Sequence, residues 1–221
     1  MKKLVFFAVL ILLLLLVPIT ALRVTPLSLV LKNSATLTNY IQRDLGLFAF
    51  TLMFVQILLG AFMDKLQEKI GGWIFNFHVF EGGLIYTLAL AHPLFLILFN
   101  HYVGIGWDPY RVFINACLLC QTPRLYYYTL GMISFWLLTI AVLVSEFRKA
   151  TPWMKANWRK LHVLNYIVFL LVGAHGFLIG TDFRYQPFYS FAIVAYVIIT
   201  GVIIFIEIPR LYKNFRNWLR S

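Results

Sequence analysis

The sequence predicts an all-α integral membrane protein, a bundle of six transmembrane helices. Two observations carry this expectation. First, 62% of the 221 residues are hydrophobic and only 12% are charged, whereas soluble domains are about 45–50% apolar and about 25% charged. Mean hydropathy is +0.83. Second, the apolar residues fall in six continuous runs, near 4–22, 45–63, 74–99, 126–145, 160–180 and 187–207. Each approaches the roughly 20 residues a helix needs to cross the hydrocarbon core. A transmembrane β-barrel would show short segments of alternating polarity instead.

The first run follows Met1-Lys2-Lys3 and reads either as a signal peptide or as a retained helix. Its apolar stretch is long for a signal core, and Ile19-Thr20-Ala21-Leu22 is a poor cleavage site, so a retained first helix is expected. Residues 1–44 then form that helix and its outer connection, residues 45–207 the main helical domain, and residues 208–221 a basic tail.

The formal net charge of +11 sits between the apolar runs. It reads as topogenic charge and lipid head-group contact, with no nucleic-acid partner expected. With the N-terminus inside, the inner connections and tail carry 13 of the 19 Lys and Arg residues. These are Lys2, Lys3, Lys65, Lys69, Arg148, Lys149, Lys155, Arg159, Lys160, Arg210, Lys213, Arg216 and Arg220. The outer side carries the other six: Arg23, Lys32, Arg43, Arg111, Arg124 and Arg184. The excess places both termini in the cytoplasm of a plasma or inner membrane. Trp73, Trp107, Tyr126, Tyr127, Tyr128, Trp153, Trp158 and Trp218 fall near expected boundaries and read as interfacial anchors.

Helices three and five each carry two histidines. His78 and His92 are 14 residues apart, and His162 and His175 are 13 apart. At about 1.5 Å per residue, each pair sets two imidazoles roughly 20 Å apart along its helix. Both helices run from inside to outside, so His78 matches His162 in depth and His92 matches His175. Two imidazoles at each of two depths are what a membrane bundle needs to hold two haems, one above the other. A step of 14 residues returns to nearly the same face, but a step of 13 is off by roughly 140° on an ideal helix. The fifth helix therefore needs overwinding, a kink, or haems turned relative to each other, and Gly173 is a plausible irregularity. Gly82, Gly83, Ala91, Gly173, Ala174 and Gly176 beside the histidines would leave room for a macrocycle or mark close helix contacts.

The pattern His78…His92 together with Leu161-His162…Ala174-His175-Gly176 resembles the ferric-reductase-like transmembrane domain. NADPH oxidases, ferric reductases and small bacterial haem-binding membrane subunits share that domain, and the likeness covers roughly residues 40–207. The resemblance implies that His78, His162, His92 and His175 are the axial ligands of two b-type haems, and that the protein moves electrons across the membrane. Long family members continue into a flavin- and nicotinamide-binding domain. No G-x-G-x-x-G stretch opens a βαβ unit here, so flavin is expected only through a partner. A cytoplasmic flavin reductase or a membrane quinol would be the donor. A periplasmic or extracellular protein, ferric iron or oxygen would be the acceptor. A short bacterial branch of the family serves a periplasmic methionine-sulfoxide reductase. A quinol-oxidising dihaem cytochrome b subunit, or a haem-free transporter with histidines along a polar path, are the competing readings.

Other residues carry weaker signals. Glu81 is read as the only acid deep inside a span, one turn past His78, placed to orient an imidazole, relay a proton or pair for structure. His101 reads as an interfacial histidine. Cys117-Leu118-Leu119-Cys120 is followed by Gln121 rather than His, which excludes c-type haem attachment. The two cysteines read as a short disulfide, a redox pair, or small apolar residues in a membrane-dipping segment. Arg148, Lys149, Lys155, Arg159 and Lys160 would hold haem propionates, dock an acidic donor or only set topology. Arg43, Arg111 and Arg124 are their outer counterparts. Tyr86 and Phe169 fall midway between paired histidines, where core packing is the simpler role.

Overall fold

The computed structural model describes residues 2–117, 119, 120 and 122–218. Six helices are long and apolar enough to cross a membrane: α1 (Lys2–Val24), α2 (Ser34–Ala61), α3 (Trp73–Tyr102), α4 (Pro123–Glu146), α5 (Pro152–Ile179) and α6 (Phe188–Lys213). The chain is a multi-pass integral membrane protein with an all-α architecture. Arg220 and the side chain of Trp218, both used in the sequence reading, lie outside the described residues.

Helix ends follow local chemistry. α2 begins at Ser34, well before the apolar run at 45, because Asn33 caps it: Thr36 N donates to Asn33 Oδ1 at 2.9 Å. Thr151 caps α5 with Pro152 in its first turn, and Pro123 opens α4. A short helix, Met63–Ile70, follows α2 and ends at Gly71, whose φ of +107° suits a residue without Cβ.

Two helical hairpins form the frame. α2 packs along α3, and α4 packs along the second half of α5. α1 lies against α2, burying Leu10, Val17, Thr20 and Ala21. Thr20 Oγ1 accepts from Phe188 N at 3.1 Å, which ties α1 to the start of α6. Trp73, expected as an interfacial anchor, instead stacks on Phe7 and meets Phe6 and Phe77 edge-on. Phe50, Phe169, Phe183 and Phe188 are buried together in the centre, with Phe50 stacked on Phe169 at 4.9 Å.

Two spans depart from a regular α-helix. α5 breaks at Val163: one helical segment ends at His162 and the next begins at Leu164. Tyr166 N bonds back to Val163 O, a tight three-residue return. The expected irregularity therefore falls beside His162 rather than at Gly173. α6 contains a π turn, Ile203–Glu207. It buries Glu207, which pairs with Arg210 at 2.6 Å. Glu81 is thus not the only acid inside a span.

Lys2 Nζ donates to Lys69 O, so the N-terminus and the α2–α3 connection share one end of the bundle. That end, with the α4–α5 connection, holds Lys2, Lys3, Lys65, Lys69, Arg148 and Lys149, and is called the basic end below.

Candidate cofactor site

The four histidines point inward between the two hairpins. His78 and His162 lie toward the basic end, with ring centroids 6.4 Å apart and planes 72° apart. His92 and His175 lie toward the opposite end and both line a cavity of about 760 Å³. His78 and His162 thus meet ring to ring, and His92 and His175 share one cavity.

Each histidine is met by a small residue on the neighbouring helix. A Cβ on Gly46 of α2 would sit 2.8 Å from His92 Nδ1, and one on Gly131 of α4 would sit 2.8 Å from His175 Cε1. Gly60 of α2 faces His78 less tightly, at 3.5 Å from Cε1. His162 meets Ser145 of α4, whose Oγ is 2.8 Å from Nδ1. Gly46 and Gly60 are 14 residues apart, and so are Gly131 and Ser145. This spacing repeats that of His78 and His92. The sequence reading looked for small residues beside the histidines and missed these four on the partner helices; their shared 14-residue step was the signal available. The glycines it did name mainly serve packing. Gly82 faces Gln56, Gly173 faces Tyr196, and Gly176 faces Phe183.

Hydrogen bonds orient the rings. His92 Nδ1 donates to Gln42 O at 2.7 Å, and His175 Nδ1 donates to Tyr127 O at 2.7 Å. Each carbonyl belongs to the residue four positions before the facing glycine. A carbonyl only accepts, so Nδ1 carries the proton and Nε2 keeps its lone pair, which at His92 faces the Gln42 amide nitrogen at 3.3 Å. His162 Nδ1 instead donates to Ser145 Oγ, which itself donates to Ala141 O at 3.0 Å. His78 Nδ1 is buried without a partner among the described residues.

These features bear on what the site can hold. An imidazole nitrogen binds a transition metal at about 2 Å, so two rings flanking one metal have centroids about 6 Å apart. The His78–His162 separation fits that gap. No group of three or more His, Cys, Asp or Glu side chains suited to a metal ion exists among the described residues. Two imidazoles per site leave the remaining coordination positions unfilled, which suits a planar macrocycle that brings its own nitrogens. The larger cavity is of the size range that encloses cofactors, about 300–1,000 Å³.

The remaining expectations resolve one by one. Arg111 and Arg124 line the larger cavity, available to an anionic group. Arg43 also lines it but is committed elsewhere: Nε and Nη2 bind both oxygens of buried Asp182 at 2.7 Å, and Nη1 binds Thr25. At the basic end Arg148 binds Ser145 O, and Lys160 binds Asn157. Glu81 is 1% exposed and neither carboxylate oxygen has a partner among the described residues, the four histidines included. His101 is exposed and packs on Trp107 at 4.7 Å, away from the cavity lining. Tyr86 stacks on Phe135, and Phe169 is a core residue behind Phe50. Cys117 and Cys120 form a disulfide, with Cys117 on the cavity wall and its N–H bonded to Thr129.

No family model matches the sequence, and no solved structure matches it. Curated relatives do. Over 94 residues the chain is 33% identical to the protein-methionine-sulfoxide reductase heme-binding subunit MsrQ of Yersinia enterocolitica, covering 42% of each chain. It is 32% identical over 98 residues to the MsrQ subunits of Yersinia pestis and Yersinia pseudotuberculosis, covering 42% of this chain and 44% of theirs. The match thus spans less than half of these relatives' length. Within it, the chain is similar to heme-binding subunits of protein-methionine-sulfoxide reductase.

Proposed function

We propose that the protein carries electrons across the membrane through two b-type haems, one between His78 and His162 and the other between His92 and His175. The observation that carries this reading is the repeated seat: an imidazole set against a small residue of the facing helix, with Nδ1 held by that helix at three of the four positions. Such seats fix the tautomer that leaves Nε2 for iron. The similarity to haem-binding subunits supports the same reading.

When bound, a haem held by these imidazoles would supply one-electron ferric–ferrous exchange. The chain's own work is then to hold, orient and insulate. α2 and α4 fix the four rings. The Phe50–Phe169 core keeps water from the centre of the bundle. Arg111 and Arg124 offer positive charge at the wall of the larger cavity, where propionates would sit.

Charge asymmetry assigns the basic end to the cytoplasm. The Cys117–Cys120 disulfide belongs to the opposite end, which agrees with an oxidising outer compartment. A cytoplasmic flavin reductase or a membrane quinol would feed the basic end. The outer acceptor is a periplasmic protein, ferric iron or oxygen. The name of the relatives favours a methionine-sulfoxide reductase as that protein. Residues 45–207 form the haem-holding unit. Pyridine haemochrome analysis of the purified chain, with haem counted against protein, tests the reading. Two haems per chain are expected, one removes a site, and none overturns it.

A further inference from the structure

The four histidine seats share one geometry, but only the two at the cavity end share its hydrogen-bond chemistry. On α2 and α4 a small residue opens the helix surface, and the carbonyl four residues earlier is the natural acceptor for the imidazole. Gln42 precedes Gly46, and Tyr127 precedes Gly131; both carbonyls accept directly from Nδ1 at 2.7 Å. Ala141 precedes Ser145 by the same four residues. Here a hydroxyl stands between ring and carbonyl: His162 Nδ1 donates to Ser145 Oγ at 2.8 Å, and Ser145 Oγ donates to Ala141 O at 3.0 Å. Asn165 Nδ2 lies 3.3 Å from the same ring nitrogen and brings a donor rather than an acceptor. The other histidine at that depth, His78, has no acceptor at Nδ1 among the described residues.

Resting on the two-haem reading, we infer that Ser145 is a positioning residue that makes the basic-end site the stronger electron acceptor of the two. An amide carbonyl is a better hydrogen-bond acceptor than a hydroxyl. A ring that gives its Nδ1 proton partly to a carbonyl becomes a more electron-rich ligand and favours ferric iron. Both rings at the cavity end, His92 and His175, have carbonyl acceptors. At the basic end the Ser145 hydroxyl stands between His162 and the Ala141 carbonyl, and His78 has no acceptor among the described residues. The basic-end site therefore fills first and holds its electron until an acceptor at the opposite end draws it across. Ser145 acts through His162 and touches neither donor nor acceptor. A glycine there, as at the three other seats, would let His162 reach Ala141 O.

Anaerobic redox titration of the full haem-loaded chain in lipid nanodiscs, followed by visible spectra and by the ferric low-spin electron paramagnetic resonance signals, tests the inference. Two separate midpoints are expected in the wild type. The higher should match the single midpoint of the His92→Ala chain, which retains the basic-end haem. Ser145→Gly should cut the preference of the first electron for the basic-end site by up to about tenfold, the scale of one hydrogen bond. Ser145→Thr keeps the hydroxyl and should restore the wild-type separation. If Ser145→Gly does not fold, assignment of the higher midpoint in the wild type decides by itself. Two haems with the first electron on the cavity-end site overturn the inference alone, as do two haems with midpoints unmoved in Ser145→Gly. A chain without haem overturns the two-haem reading beneath it.

Discussion

At one end of the bundle, His92 and His175 line a cavity of about 760 Å³, and both give their Nδ1 proton to helix carbonyls. At the basic end, the His78 and His162 rings face each other at 6.4 Å, one held by a serine and the other without an acceptor. The same residue type, at matching depth on the same two helices, is thus held by different surroundings. The ligand residue fixes what can bind, while the helix behind it fixes how firmly and in which electronic state. Structure at these seats lies in α2 and α4, not in the helices that carry the histidines.

The sharpest way to break this comparison is to remove one ligand at a time. His92→Ala and His175→Ala should each lower haem from two per chain to one and leave the same residual spectrum, because both act on one site. Different residual spectra would undo the pairing. His78→Ala should leave the complementary spectrum.

Next come the seats. Gly46→Val and Gly131→Val place carbon where the His92 and His175 rings now lie, at 2.8 Å from the first Cβ atom alone. Loss of the cavity-end haem with retention of the other is expected in haem-per-chain assays. Gly60→Ala adds a carbon at ordinary contact distance, 3.5 Å, and should keep both haems. Equal loss in all three would mean that the seats are general packing positions.

A smaller effect is expected at the cavity wall. Arg43 and Asp182 are a largely buried, bidentate pair, and removing one partner strands the other charge in a low-dielectric site. Arg43→Leu should cost about 3–5 kcal/mol in detergent unfolding. The double variant Arg43→Leu/Asp182→Leu should recover most of that loss. The smallest change, and of opposite sign, is expected at Glu81. Its carboxylate is buried with neither oxygen partnered, so Glu81→Gln should leave stability equal or raise it by about 1 kcal/mol. A strong loss on thermal unfolding would show that Glu81 holds the basic-end hairpin together.

Most of the fold was legible because lipid imposes simple rules. Backbone groups must be satisfied within each span, so six apolar runs become six helices. The boundaries were less legible. α2 starts at Ser34 because of an Asn33 cap, a polar signal that hydropathy ignores. The histidine pairs were legible from spacing and charge count. The break at Val163 was not, because no Gly or Pro marks it; the glycine that drew attention, Gly173, sits against Tyr196. Arg43 read as an outer counterpart of the basic cluster because its partner Asp182 is 139 residues away in sequence.

Six apolar runs and two pairs of spaced histidines are written directly in the chain, and they specify six spanning helices, two of which carry the histidines. Periodicity, apolar length and charge are local properties, and a membrane reads them locally. Which residues face those histidines is set by helix packing: Gly46, Gly60, Gly131 and Ser145, with the carbonyls of Gln42 and Tyr127. Those contacts arise from how α2 lies on α3 and α4 on α5, and a packing angle between two helices is written in neither helix alone.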